Sequence, residues 1–152
     1  MKRALLSLLM LSLVGLQFAC AQSAQSKNAL TFNHAALCVR DLAASNSFYK
    51  NVLELQETPN PFNDGRHTWL KIGPGLQMHI IQGTCVVTPE KNVHLCFSVA
   101  SLQPLTTRLE KLNVRYTNLK GDAQEPTVRV DGVKQIYLQD PDGYWIEIND
   151  AK

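Results

Sequence analysis

The chain has 152 residues, 15 of them basic and 13 acidic, for a formal net charge of +2. That length holds one domain, or two small repeated halves sharing a core. Once a leader carrying Lys2 and Arg3 is removed, basic and acidic residues are equal in number, which leaves no electrostatic footing for nucleic acid or for an anionic membrane surface.

Lys2 and Arg3 precede the apolar run Ala4 to Phe18, and Ala19-Cys20-Ala21 then presents small residues where a signal peptidase cuts. Residues 1–21 read as a secretory signal cleaved after Ala21, so an exported protein, periplasmic or secreted, is expected, with no membrane span in the mature form. The alternative is a lipoprotein anchored at Cys20, against which Gln17 stands where an apolar residue is preferred. A retained anchor would need about 20 apolar residues. Cys38, Cys85 and Cys96 remain after cleavage. An odd number in an oxidising compartment means a free thiol or an intermolecular bond. No C-x-x-C spacing points to a thiolate zinc site.

Residues 22–29 form a polar, flexible lead-in, and the domain proper is expected over 30–150. From Leu30 to Val39 the pattern alternates, with Ala35, Leu37 and Val39 on one face and His34, Ala36 and Cys38 on the other. Asp41 is a good N-cap for a helix reaching Val52, with Leu42, Phe48, Tyr49 and Val52 as its apolar stripe. Leu53 to Thr58 suits a short strand and Pro59 to Gly65 a loop. Arg66 to Ile72 alternates again, with His67, Trp69 and Lys71 opposite Thr68, Leu70 and Ile72. Leu76 to Gln82 is the next strand, and Gly83 to Lys91 a connector with a turn at Pro89.

The second half repeats this order. Val93 to Val99 is a strand with His94, Cys96 and Ser98 on one face, and Ser101 then caps a helix carrying Leu102, Leu105, Leu109 and Leu112. Leu119 to Asp131, with Gly121 and Pro126, reads as loop. Asp140-Pro-Asp-Gly143 is a tight turn launching a strand whose Trp145, Glu147 and Asn149 face one way and whose Tyr144, Ile146 and Ile148 face the other. Four residues after Gly75 stands His79, and four after Gly143 stands Glu147. Superposing His34 on His94 also aligns Val39 with Val99, Asp41 with Ser101, and Leu42 with Leu102. The chain therefore divides into module one, 30–83, and module two, 92–150, each strand, helix and three strands.

Three imidazoles and one carboxylate at matching repeat positions form a divalent-metal set: His34, His79, His94 and Glu147. Zn, Ni, Fe, Mn or Co would each suit such donors. Alternation directs His67, Trp69, Gln77, Gln135 and Tyr137 to the same polar face, where they are candidates for contact with a small-molecule substrate. Cys38 and Cys96 also lie on that face, and a disulfide between them is one option.

His34, the following V-R-D-L and F-Y, and the later D-P-D-G-Y-W-I-E-I together resemble the vicinal oxygen chelate superfamily. That group includes glyoxalase I, methylmalonyl-CoA epimerase, fosfomycin-resistance thiol transferases, extradiol dioxygenases and bleomycin-resistance proteins. The resemblance runs from Leu30 to Asn149. It implies an α+β fold in which two βαβββ modules, related by a pseudo-twofold axis, form a cupped, mostly antiparallel sheet. It matches His34 and His94 to the histidines opening each module and Glu147 to the terminal glutamate, while His79 stands where glyoxalase I has a second glutamate. The chemistry implied is a metal-dependent lyase or isomerase acting on a small substrate with vicinal oxygens, with Glu147, released from the metal, as the catalytic base, or a water or hydroxide in that role. Export would separate the protein from cytosolic thiols, so thiol-dependent substrates are not expected. The alternatives are a metal-free binding protein of bleomycin-resistance type and an iron-dependent ring-cleaving dioxygenase. Modules can pair within one chain or between two, so a homodimer is carried forward as an expectation.

Overall fold

Two stretches of this chain obey the same local rules and fold into the same unit. The computed structural model describes residues 28–88 and 90–152, so the leader, most of the lead-in and the turn at Pro89 lie outside the described residues. Contacts divide the chain into Met1–Thr31 and Phe32–Lys152, and every described strand and helix falls in the second part.

In module one, β1 (His34–Val39) buries Leu37 and Val39 and leaves His34, Ala36 and Cys38 exposed, as alternation dictates. The Asp41 carboxylate then accepts the Ala44 N–H at 3.0 Å and opens α1 (Leu42–Ser47). The helix widens into a π-helical turn over Phe48–Val52. Leu53 and Leu55 close that turn by donating to the carbonyls of Phe48 and Tyr49, so β2 is only Gln56–Thr58, shorter than the strand expected from Leu53. β3 (His67–Gly73) and β4 (Leu76–Gln82) form an antiparallel hairpin, and β4 also pairs parallel with β1, giving the order β1-β4-β3-β2.

Module two repeats the plan with β5 (His94–Ser98), α2 (Leu102–Lys111), β6 (Thr127–Val128), β7 (Lys134–Gln139) and β8 (Trp145–Asn149), in the order β5-β8-β7-β6. Ser101 Oγ accepts the Gln103 N–H at 3.4 Å, and α2 buries Leu102, Leu105 and Leu109. Leu112, expected on that stripe, is the C-cap and 47% exposed. β6 lies inside the segment read as loop. The registers confirm the repeat: His34 pairs with Gln77 and His94 with Trp145, so His79 and Glu147 each stand two residues past the partner of their module's first histidine. The result is the expected α+β fold, its strands grouped in two four-stranded mixed sheets.

One apolar cluster joins the modules, with Val39, Tyr49, Leu70, Met78 and Ile80 from the first packed with Leu105, Leu109, Ile136, Leu138 and Ile146 from the second. Burying each such side chain contributes about 1.5–3 kcal/mol. The Asp140–Gly143 turn adds a polar joint. Asp140 accepts the Tyr49 hydroxyl at 2.8 Å, and Asp142 accepts the Arg40 guanidinium at 2.7 Å, the Arg40 N–H at 3.0 Å and the Ser45 hydroxyl at 3.3 Å. Tyr144 donates to the Cys38 carbonyl at 3.0 Å.

Cys38 is disulfide-bonded to Cys85, with 5.8 Å between their Cα atoms, and not to Cys96. The parallel pairing brings Cys38 opposite Ile81 on β4, so the segment leaving β4 carries Cys85 past the end of β1. Cys96 lies on β5 in the other sheet and has no disulfide among the described residues.

Candidate metal centre

The polar face of module one presents two imidazoles on neighbouring strands. His34 at the start of β1 and His79 in the middle of β4 stack with ring centroids 4.5 Å apart, and Trp69 of β3 stacks on the other side of His79 at 4.0 Å. The His34 Nδ1 lies 2.8 Å from the Asn33 side-chain oxygen, which leaves its Nε2 as an acceptor when Nδ1 carries the proton. His79 Nε2 is buried and has no hydrogen-bond partner among the described residues. Burial, and then the neighbouring His34 and His67, hold its pKa below the usual 6.5, so the neutral ring with an unshared pair is favoured.

Module two contributes a carboxylate and a third imidazole. His94 Nδ1 sits 2.7 Å from the Lys91 carbonyl, an arrangement that fixes Nδ1 as donor and turns the Nε2 lone pair toward Glu147 Oε2, 3.3 Å away. Two acceptors facing each other at that distance require a proton or a cation between them. The Tyr137 hydroxyl donates to the same Oε2 at 2.6 Å, Asn149 Nδ2 donates to Oε1 at 2.9 Å, and the Cys96 thiol lies 3.5 Å from Oε1. Burial pushes the Glu147 pKa up, but these donors and His94 together outweigh it and hold the carboxyl below its ordinary value. Burial and then Glu147 push the Cys96 thiol up to about 11, so it stays protonated at neutral pH.

His34 and His79 thus form one pair, and His94 and Glu147 another. Among the described residues, no group of three or more His, Cys, Asp or Glu side chains gathers around a common point. Each pair lies across an edge strand and its neighbour, β1 with β4 and β5 with β8. The residues fit a divalent ion in their chemistry: an orphaned buried imidazole nitrogen in one pair, and in the other an imidazole whose far nitrogen is fixed by a backbone carbonyl, the usual support of a metal-binding histidine.

The remaining candidates fall into two groups. His67 is held by Asp64 at 2.7 Å and packs 5.1 Å from the Phe62 ring, which also meets Trp69 edge-on at 5.9 Å. Gln77 pairs with His34 across the sheet and donates to Thr58 Oγ1 at 3.4 Å. Gln135 and Tyr137, read from sequence as substrate contacts, build a chain behind the carboxylate: Gln135 Nε2 donates to the Tyr137 hydroxyl at 3.0 Å, which donates to Glu147. Asn149 and Lys91 escaped the sequence reading. Asn149 shares the alternating face of Glu147, a signal that was present. Lys91 acts on His94 through its backbone, and a carbonyl leaves no mark in residue type.

Comparison with known proteins agrees with this architecture. The chain is 26% identical over 161 residues to a lactoylglutathione lyase of Pseudomonas putida, covering 84% of this chain and 89% of that protein. It is 27% identical over 129 residues to Glyoxylase I 4 of Arabidopsis thaliana, covering 78% of this chain and 69% of that one. The crystal structure of the fosfomycin resistance protein FosX from Listeria monocytogenes shares the fold with a TM-score of 0.65 at 22% identity, covering 82% of this chain and 95% of that chain. The family model for the glyoxalase/bleomycin resistance protein/dioxygenase superfamily matches residues 31–148, and the chain belongs to that superfamily.

Proposed function

We propose that this protein is an exported, metal-dependent lyase or isomerase of glyoxalase type, acting on a small substrate with vicinal oxygens, and that two copies complete its site. The observation carrying this reading is the pair of half-sites: His34 with His79 on one sheet, and His94 with Glu147 on the other, each at an edge strand. In an isologous dimer the surfaces of two copies exchange, so β1 of one copy set against β5 of the other would unite both pairs twice. Cys38–Cys85 supports export, since such bonds persist in oxidising compartments.

A divalent ion held by His34, His79, His94 and Glu147 would supply Lewis acidity toward a substrate oxygen. The chain's own groups do the rest. The Lys91 carbonyl and Asn33 side chain set the tautomers of His94 and His34. Glu147 is kept ionised by Tyr137 and Asn149, so it is ready to accept a proton from carbon next to a carbonyl. Trp69 covers one face of the His79 ring with apolar surface.

Two measurements test this. Calorimetric titration with Ni²⁺, Zn²⁺ or Mn²⁺ is expected to saturate at one ion per chain, and His34→Ala and His94→Ala should each abolish it. Mixing those two variants after denaturation and refolding should restore roughly a quarter of the wild-type sites, because a random half of the dimers carries one intact site of two. Indifference of the wild-type protein to every ion would favour a metal-free binding role. Metal binding with no recovery on mixing would place the site within one copy.

A further inference from the structure

The two histidines that open the modules are held in different ways. In module one the side chain of Asn33, the residue before His34, meets its Nδ1. In module two the Nδ1 of His94 meets a backbone carbonyl, that of Lys91, at 2.7 Å. Module two is also the longer copy, and its extra residues fall between α2 and β7.

A carbonyl alone is a weak hold on this ring. Glu147 Oε2 stands 3.3 Å from His94 Nε2, and a neutral imidazole gains more by donating to a carboxylate than to a neutral carbonyl. Left to itself, His94 would carry its proton on Nε2, and the lone pair that a metal needs there would be gone. The turn presenting the carbonyl is closed by the Val93 N–H on the Glu90 carbonyl at 3.0 Å and by Glu90 Oε1, which accepts the Asn92 N–H at 2.9 Å and Asn92 Nδ2 at 2.8 Å. These bonds lie within the connector, so they shape the turn without fixing it against the sheet.

The Lys91 side chain makes that attachment. Its ammonium donates to the Leu119 carbonyl at 2.9 Å and stands 4.5 Å from the centroid of the Trp145 ring and 5.3 Å from that of Tyr137, within cation–π range of both. Trp145 is the register partner of His94 on β8, and Tyr137 meets the His94 ring edge-on at 5.7 Å while donating to Glu147. The Leu119 carbonyl is itself held: the Leu119 N–H donates to Thr127 Oγ1 at 2.8 Å, and Asn118 Oδ1 accepts the Gly121 N–H at 2.7 Å. The stretch that lengthens module two therefore supplies a fixed acceptor for the lysine.

We infer that Lys91 is a positioning residue for His94: its ammonium, pinned to the Leu119 carbonyl and the Trp145 ring, holds the turn whose carbonyl keeps the imidazole proton on Nδ1 and leaves Nε2 open toward Glu147. The inference rests on the reading of His94 and Glu147 as half of a metal site, but its test needs no metal. Full-length protein labelled with ¹⁵N-histidine is kept in chelator at about pH 8, where an ordinary imidazole is neutral. Long-range ¹H–¹⁵N spectra then report which ring nitrogen carries the proton, the His94 signals being assigned by their loss in His94→Gln.

Wild type should show a protonated Nδ1. Lys91→Met and Lys91→Gln, both without the charge, should move the proton to Nε2, and Lys91→Arg should keep the wild-type pattern. Zn²⁺ affinity, read by competition with a chromogenic chelator, should fall about ten-fold or more in Lys91→Met and stay near wild type in Lys91→Arg. An unprotonated Nδ1 in the wild type, neutral variants that keep the wild-type pattern, or a Lys91→Arg protein that loses it would overturn the inference. A Lys91-dependent proton in a protein that takes no ion sinks only the metal reading, and ion binding with a proton indifferent to Lys91 sinks only this one.

Discussion

At Glu147 two opposed effects meet, and the balance decides what the residue can do. Burial alone would favour the neutral acid, whereas Tyr137 and Asn149 each place a donor on one of its oxygens. Outer partners of this kind govern the charge and aim of a metal-binding carboxylate, and removing one typically costs 10–100-fold in metal affinity. Tyr137→Phe is therefore expected to weaken Ni²⁺ or Zn²⁺ binding by about that factor, read by competition with a chromogenic chelator, with the melting temperature nearly unchanged. Unchanged affinity would show that Tyr137 merely packs. Alternation along β8 was enough to put Glu147 on its face of the strand from sequence, because a strand presents every second residue to one face. It was not enough to assign Tyr137. Facing the site and supporting a ligand look identical in a pattern of period two.

The turns that launch the last strand of each module show how an element inherits its role from one backbone angle. Gly75 has φ +68° and Gly143 φ +96°, both in the region that favours glycine. Gly143→Ala is expected to destabilise the protein by about 1 kcal/mol or more, read as a lower urea midpoint at unchanged slope. In the same turn, burial raises the Asp140 pKa above its ordinary 3.8, only partly offset by the Tyr49 hydroxyl and turn N–H groups. A carboxyl with a raised native pKa favours folding most below pH 3.8 and loses that contribution as pH climbs through the native value. The stability of wild type relative to Asp140→Asn should accordingly fall as pH rises across that window, in denaturant titrations at a series of pH values. A parallel pair of curves would contradict this. Both turns were visible in the sequence through their glycines. The π-helical turn was not, since Leu42, Phe48, Tyr49 and Val52 suit an α-helix equally well, and only the bonds from Leu53 and Leu55 reveal the wider winding.

For the molecule as a whole, duplication was the legible property and the relation between the copies was not. Val39 with Val99 and Asp41 with Ser101 announced two modules, because matching residues must serve matching strands and caps. Nothing in such a repeat says which neighbour faces an edge strand, so the gathering of all four candidate ligands within one chain did not follow from it. The cysteines behaved similarly: sharing a face suggested Cys38 with Cys96, yet the path of the connector after β4 delivered Cys85 instead. That bond spans 47 residues, a loop for which a stabilisation of about 4 kcal/mol is expected by restriction of the unfolded chain. Cys85→Ala should lower the melting temperature of the oxidised protein and make it insensitive to dithiothreitol, and equal melting of wild type with and without reductant would argue that the bond is absent in solution.

The joint at Asp140 and Asp142 imposes an order of events. Its contacts reach back 91 to 102 residues, to Tyr49, Ser45 and Arg40. A ribosome has delivered those three long before it reaches the turn, so the early half must wait, its acceptors still unmade, until the final strand emerges. Closures over such separations are slow to find, so the interval between the synthesis of module one and that of β8 is when the half-assembled body most needs a chaperone.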